Sequence, residues 1–473
     1  MSAEVVDEVA VDPDRARVYA EGWQSWSPAT WYRPGARALA PDEPWQHTMR
    51  FRPGVPVGPA PQGEGLLVVD TGDGARCYGA ADATGTVPTL TATLDGGTIR
   101  VAADEPVERT DAPTGEAALS AFGDRIGARA GVRMRPAPTV WCSWYRYFER
   151  VTAADVLENL AAMDRHALPV DVVQIDDGWS TGLGEGLEPT AGFPDLPGLL
   201  ARIRDSGRRA GLWLAPFLVG ARTRLAREHP EWLTGEAGRN WGQDLVGLDL
   251  TLPAVRDVLR RHVERIRDLG VDYLKLDFLY AGALPGPRAS GASPVEAYRG
   301  GLELIREAAG PNTLLLGCGA PILPSVGLVD AMRVSPDTFH EGAEDGSRGL
   351  RGLMPLAART WQQGRFWSVD PDCLVARPAY ALRERWADAV RRYGGLRSVS
   401  DRIAELDGWG LDATRALLED VPPPAPLPDA VVAAGAREAA SLVGTPLDRP
   451  PEEPEHTAPA GGRATAGAGR AAR

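Results

Sequence analysis

The stretch V-D-Y-L-K-L-D-F (271–278) is a β-type apolar run that stops at an aspartate, and the same shape recurs along the chain. A parallel strand buried on both faces is almost continuously apolar, so a carboxylate is tolerated only where the strand runs out. Asp277 therefore marks a strand's C-terminal end. D-V-V-Q-I-D-D-G-W (171–179) stops in the same way at Asp176 and Asp177, and A-M-R-V-S-P-D (331–337) at Asp337. Further β-type runs are T-V-W-C-S-W-Y (139–145), A-G-L-W-L-A-P-F (210–217), N-T-L-L-L-G-C-G (312–319), a weaker R-T-W-Q-Q-G-R-F-W (359–367) and L-R-S-V-S-D (396–401). Amphipathic helical segments lie between them. Two of these open on capping boxes, Thr152 with Asp155 and Ser293 with Glu296. Strands and helices in this alternation predict an α/β fold, a (β/α)8 TIM barrel over residues 137–420, with its chemistry at the C-terminal strand ends.

Outside the barrel the character changes. Residues 1–113 are rich in Gly, Pro, Thr and Val, and L-D-G-G-T-I-R-V places a two-residue hairpin turn between strand-like segments. A small antiparallel β-sandwich domain is expected there. Residues 114–136 then read as a helical linker. Residues 421–473 read as a Pro/Ala/Gly-rich tail, largely disordered, interrupted by a short helix in V-V-A-A-G-A-R-E-A-A-S-L-V.

Charge and cysteine usage narrow the partners. A net charge of −13 disfavours nucleic acid and anionic membrane, both of which need a basic face. No run approaches the roughly 20 apolar residues of a spanning helix. The N-terminus lacks a basic segment followed by an apolar run, so no secretory signal is expected. Cys77, Cys142, Cys318 and Cys373 are far apart and lack zinc-like pairing, which suggests reduced thiols and a cytoplasmic location. No metal and no cofactor is expected. The sequence sets no oligomeric state.

Any one strand-end aspartate reads most simply as a helix cap. Four of them converging at one barrel mouth with Lys275, Arg333 and several tryptophans read as a site. Lys275 is the chain's only lysine; every other basic residue is arginine. It shares a strand face with Asp277, because side chains repeat every two residues. Trp141, Trp144, Trp179 and Trp213 lie in or at the ends of strand segments, and flat apolar faces beside carboxylates suit a sugar ring. Two carboxylates facing one pocket are also what glycoside hydrolysis requires. A neutral carbohydrate substrate follows.

The motifs in order resemble glycoside hydrolase family 36, the melibiase-type α-galactosidases of clan D. They are G-W-Q-S-W-S (22–27), W-C-S-W-Y (141–145), Q-I-D-D-G-W (174–179), F-P-D-L (193–196), G-L-W-L-A-P-F (211–217), Y-L-K-L-D (273–277), R-V-S-P-D (333–337), F-W-S-V-D-P-D-C-L (366–374) and S-D-R-I (400–403). The resemblance implies a retaining α-galactosidase, with Asp277 as nucleophile and Asp337 as acid/base. It implies that Asp176 and Asp177 bind the 4- and 6-hydroxyls, Lys275 the 3- and 4-hydroxyls and Arg333 the 2-hydroxyl. Trp141, Trp213 and Cys318 are further candidate sugar contacts.

The chain also departs from the family pattern. The family's Gly-rich stretch with an arginine after the fifth-strand cysteine reads G-C-G-A-P-I-L-P-S-V-G here, so Cys318 enters a loop that leaves the sugar's 2-position open. The usual N-D-P-D reads V-D-P-D (369–372), taken as structural drift. No room remains after residue 410 for the family's common C-terminal β domain. Trp23 and Trp26 fit either a wall at the barrel mouth or packing inside the β domain. Alternatives remain open: a transglycosylase, a glycosidase for N-acetylgalactosamine or glucose, a metal-dependent barrel with Lys275 as base, and a non-catalytic carbohydrate-binding barrel.

Overall fold

The computed structural model describes residues 3–41 and 44–443. At the N-terminus, strands pair antiparallel into a four-stranded and a five-stranded sheet. Val9, Val18, Leu67, Val69, Ile99 and Val101 are buried in one apolar cluster between them, a β-sandwich core built from alternate positions of both sheets. The expected hairpin joins Thr89–Asp95 to Thr98–Ala103, and Gly96 and Gly97 both take positive φ, 53° and 87°. A two-residue turn of that hand matches the strand twist and needs residues without a Cβ.

The helix Gly115–Arg129, capped by Thr114, links the sandwich to the barrel. Eight parallel strands then pair in the order seven-six-five-four-three-two-one-eight: Thr139–Cys142, Val172–Ile175, Arg209–Leu214, Val271–Leu276, Leu314–Gly317, Ala331–Arg333, Ser368–Asp370 and Arg397–Val399. A parallel bridge between Leu374 and Val399 brings the seventh strand's continuation to the eighth. Both predicted capping boxes form, at Thr152/Asp155 and Ser293/Glu296.

The seventh strand corrects the sequence reading. R-T-W-Q-Q-G-R-F-W was expected to supply it, but Thr360–Gln362 is helical and the strand is the next three residues, Ser368–Asp370. The tryptophans of that segment are there for packing: Trp361 meets Tyr19 and Phe122 in the seam between sandwich and barrel. The seam is also pinned by a buried ion pair, Arg359 Nε to Glu21 Oε1 at 2.8 Å.

After the third barrel strand the chain leaves the barrel to form a three-stranded antiparallel sheet, Leu218–Gly220, Leu233–Asn240 and Gln243–Leu248, beside the barrel mouth. Within the expected tail, Asp429–Leu442 is a helix whose Val432, Ala436, Ala439 and Leu442 are buried. The rest of that tail, 444–473, lies outside the described residues. Among the described residues no helix is long and apolar enough to cross a membrane.

Candidate active site

The barrel's fourth strand ends in the mouth, with Lys275 and Asp277 on the same face as the spacing requires. Lys275 Nζ lies 2.8 Å from Asp176 Oδ2, an oxygen that also accepts from Gln174 Nε2 at 2.6 Å. Both partners are buried. Burial alone would push the ammonium's pKa down, but Asp176 and its neighbours hold it well above the ordinary range. A guanidinium is wider and planar, and it would intrude on the pocket that Lys275 lines. Lys275→Arg is therefore expected to raise KM and lower kcat, each by at least about tenfold, an effect of about 1.4 kcal/mol on each. The midpoint of thermal unfolding should fall little; near-normal kinetics would remove Lys275 from the site.

Asp277 is held by donors on both oxygens: Trp213 Nε1 to Oδ2 at 3.0 Å and the Phe278 N–H to Oδ1 at 2.8 Å. Burial pushes its carboxyl up, while Lys275 and the hydrogen bonds from Trp213 and Cys318 pull it back. Phe278 sits at φ 51°, an uncommon conformation for a bulky residue, and turns the chain sharply just beyond Asp277.

Two strands further round the barrel, Asp337 follows the sixth strand. Arg333, fully buried beneath it, bonds three aspartates at once: Nη1 to Asp337 Oδ1 at 3.1 Å, Nε to Asp370 Oδ2 at 3.3 Å and Nη2 to Asp372 Oδ1 at 2.6 Å. Burial would raise Asp337, but Arg333, with Lys275, His340 and Arg351, holds it below the usual range. Asp372, by contrast, is pushed up to about 6 by burial, despite Arg333. It also accepts from Thr338 N at 2.8 Å and from the Tyr145 hydroxyl, so the residue next to Asp337 is tied to the seventh strand.

The second strand contributes Asp177. Its Oδ2 accepts from Trp241 Nε1 at 2.8 Å and its Oδ1 from the Gly178 N–H at 2.8 Å. Burial outweighs these bonds and raises the carboxyl from 3.8 to about 7. A folded-state value above the unfolded one means that its contribution to stability is complete below about pH 4 and is lost as pH rises through 7, at up to about 1.4 kcal/mol per pH unit. Asp177→Asn cannot ionise and can still accept from Trp241. It is expected to unfold a few degrees higher than the parent at pH 8 and at the same temperature at pH 4, while losing sugar affinity. Equal midpoints at pH 8 would contradict a strained Asp177.

Asp176, Asp177, Lys275, Asp277, Asp337 and Trp213 line one pocket of about 150 Å3. Trp141, Arg333 and Cys318 do not. Trp141 is fully buried, its Nε1 donating to the Asp401 carbonyl at 2.9 Å, and it packs rather than faces a ligand. Cys318 lies behind Asp277, touching its carboxylate through the thiol. The two N-terminal tryptophans divide. Trp23 is buried under Arg52 in the β domain, whereas Trp26 lines the pocket and packs over Phe278 and against Gly319, where a Cβ would come within 2.9 Å of the ring. Sequence reasoning missed the rim, which includes Arg50, Phe148, Glu149, Asn240, His340 and Glu341. These residues stand on short helical turns, loops and the end of the inserted strand Leu233–Asn240, where no periodicity signals them. Asp370 and Asp372 were also passed over, although S-V-D-P-D follows the same pattern of an apolar run ending at an acid.

A family model described as Melibiase matches residues 125–282. The α-galactosidase from Thermus thermophilus in complex with p-nitrophenyl α-D-galactopyranoside is 29% identical, with a TM-score of 0.74 over 88% of this chain and 91% of that one. Its complex with stachyose gives 30% identity and a TM-score of 0.72 over 85% and 90%. Among curated relatives, probable α-galactosidase G of Emericella nidulans is 28% identical over 181 residues, 34% of this chain. That match spans a quarter of the relative's length, 25%. An α-xylosidase of Lactiplantibacillus pentosus is 33% identical over 132 residues, 26% of this chain and 17% of that one.

Proposed function

The chain belongs to glycoside hydrolase family 36, the melibiase-type glycosidases, and on that premise we propose that it is a retaining α-galactosidase removing terminal α-galactosyl groups by double displacement. The observation that carries this reading is the pairing of Asp277 and Asp337 in one pocket with different neighbours. Asp277 accepts hydrogen bonds on both of its oxygens, and Asp337 meets the same pocket from two strands further round the barrel.

In the first step an Asp277 oxygen attacks the anomeric carbon. The glycosidic C–O bond breaks, its electron pair goes to the leaving oxygen, and Asp337 supplies the proton. In the second step Asp337, now a carboxylate, takes a proton from water as the water oxygen bonds to the anomeric carbon. The bond to Asp277 breaks and its electrons return to the carboxylate. Two inversions give net retention.

Barrel topology orients the sugar. Strands two and six lie opposite each other with strand four midway, so a leaving group protonated by Asp337 sits on the strand-six side, near His340 and Glu341. The far end of the glycone then reaches Asp176 and Asp177, which accept its 4- and 6-hydroxyls, while Lys275 donates to the 3- and 4-oxygens. Trp213 and Trp26 supply flat faces for the ring. Arg333 was expected at the 2-hydroxyl; with its nitrogens taken up by three aspartates below the lining, it acts in this proposal by orienting Asp337. A cytoplasmic setting belongs to the same proposal, supported by four free, buried cysteines.

The test is hydrolysis of an aryl α-galactoside followed by proton NMR. α-Galactose is expected as the first-formed anomer, with turnover undiminished by excess chelator. β-Galactose first, or no turnover at all, would overturn the reading.

A further inference from the structure

The sheet inserted after the third barrel strand carries a residue that the catalytic steps leave unused. In the hairpin joining Leu233–Asn240 to Gln243–Leu248, Asn240 pairs with Gln243, so Trp241 and Gly242 alone make the turn. Both have positive φ, 49° and 65°. Turns of this hand are filled by Asn-Gly or Gly-Gly, and a bulky aromatic at the first position is an outlier. The strained position holds the indole in one place. Its Nε1 donates to Asp177 at 2.8 Å, and its ring meets Trp213 edge-on, with centroids 6.1 Å apart, and Phe278 at 5.3 Å. Backbone strain kept beside a ligand pocket points to a functional constraint.

Trp241 lines a second cavity, of about 370 Å3, more spacious than the catalytic pocket of about 150 Å3. Glu149, Asp177 and Trp213 line both, so the two spaces share a wall, and the Trp241 ring bridges from Asp177 to Phe278 along it. The cavity is mostly apolar, with hydroxyls from Ser180 and Thr181. Each of these accepts a backbone N–H, from Gly182 and Glu188, and keeps its own proton to donate. Apolar faces with a few hydroxyl donors are what a pyranose ring takes.

This inference rests on the α-galactosidase reading above, which puts the glycone's 6-hydroxyl at Asp177 and therefore at the shared wall. We propose that the second cavity is a sugar-binding site for a galactosyl unit carried on that 6-hydroxyl, and that Trp241 is the partition that closes it and confines the enzyme to chain ends. The bonds made and broken are those of the double displacement proposed above; only the transferred group is longer, so water releases an α-1,6-linked galactobiose in place of galactose. Asp177, pushed up to about 7 by burial, carries a proton over much of the acid to neutral range and can donate it to the ether oxygen that replaces the 6-hydroxyl.

The probe is an aryl α-galactoside bearing an α-galactosyl group on its 6-hydroxyl, offered to the parent, Trp241→Gly and Trp241→Asn, two replacements at home at this φ. The parent is expected to release galactose first and the phenol only after a lag. The variants are expected to release phenol without a lag, with galactobiose at least tenfold enriched over galactose relative to the parent. Product ratios within each protein make the result independent of any loss of overall rate. Calorimetry with free galactobiose, on proteins checked for folding by circular dichroism, is expected to show at least tenfold tighter binding to the variants than to the parent. Lagged phenol release and galactose alone from variants that still hydrolyse the unsubstituted aryl galactoside would overturn the inference. A parent inert toward that unsubstituted substrate would instead overturn the α-galactosidase reading, and equal galactobiose affinities would then decide against the second site.

Discussion

Asp277→Ala is expected to lower kcat on an aryl α-galactoside by about 10^4-fold or more, the scale on which removal of a covalent nucleophile acts when binding and surrounding electrostatics are left in place. The fold should survive, because the substitution removes a carboxyl that burial already disfavours and leaves Lys275 paired with Asp176. Chemical rescue separates loss of the nucleophile from general damage. In Asp277→Ala the vacated space lies on the face of the sugar opposite the leaving group, so azide entering it should attack the anomeric carbon once. The electron pair of the breaking bond leaves with the aryl oxide, and the product is β-galactosyl azide, inverted relative to the substrate. Restoration of at least a hundredfold in rate by azide, with that product identified by NMR, is the expected result. Wild-type activity in the variant, or an α-configured azide, would exclude Asp277 as nucleophile.

The barrel was legible because its strands are buried on both faces. An apolar run that ends at an acid is a strong signal, and it located Asp176, Asp177, Asp277 and Asp337 without reference to any helix. The seventh strand escaped because it directly follows a tryptophan-rich segment whose apolar character serves the seam between domains and reads as a strand in its place. The same oversight hid Asp370 and Asp372, which share Arg333 with Asp337.

Two further elements lay beyond sequence reasoning for a different reason. Trp26 reaches the pocket because the β-sandwich docks against the barrel, a contact between residues nearly three hundred positions apart such as the pairing of Ser25 with Ala320. Trp241 stands in a turn whose chemistry predicts asparagine or glycine, so local preference argues against what is found there. A place where local preference and structure disagree is where function is expected to override it. The lone lysine is the converse case. Its rarity flagged it, but only the 2.8 Å contact with Asp176 in a fully buried setting shows why arginine does not substitute.

Asp337→Ala is expected to separate substrates by their leaving groups. A natural disaccharide leaves as a poor alkoxide that needs a proton, so loss of the general acid should lower kcat/KM by about 10^3-fold, within the usual range for that role. A dinitrophenyl galactoside leaves without protonation, and its first step should change by no more than about tenfold. The second step still lacks its base, so the galactosyl-enzyme should accumulate and release of dinitrophenol should show a burst followed by slow turnover. The pH dependence carries independent information. In the free enzyme Asp337 is held low by Arg333 while Asp277 is raised by burial, so the two titrate as one interacting pair and kcat/KM should be bell-shaped with its optimum on the acid side of neutrality. The alkaline limb reports loss of the pair's last proton, which rests mainly on Asp277 in the free enzyme and has to sit on Asp337 to be delivered. In Asp337→Ala that limb should vanish, leaving a profile that rises with pH as Asp277 ionises and then stays level. Equal losses for both leaving groups, or an alkaline limb that persists in the variant, would place the acid elsewhere, and the shared guanidinium of Arg333 would then be a structural clamp with no part in setting the proton that Asp337 carries.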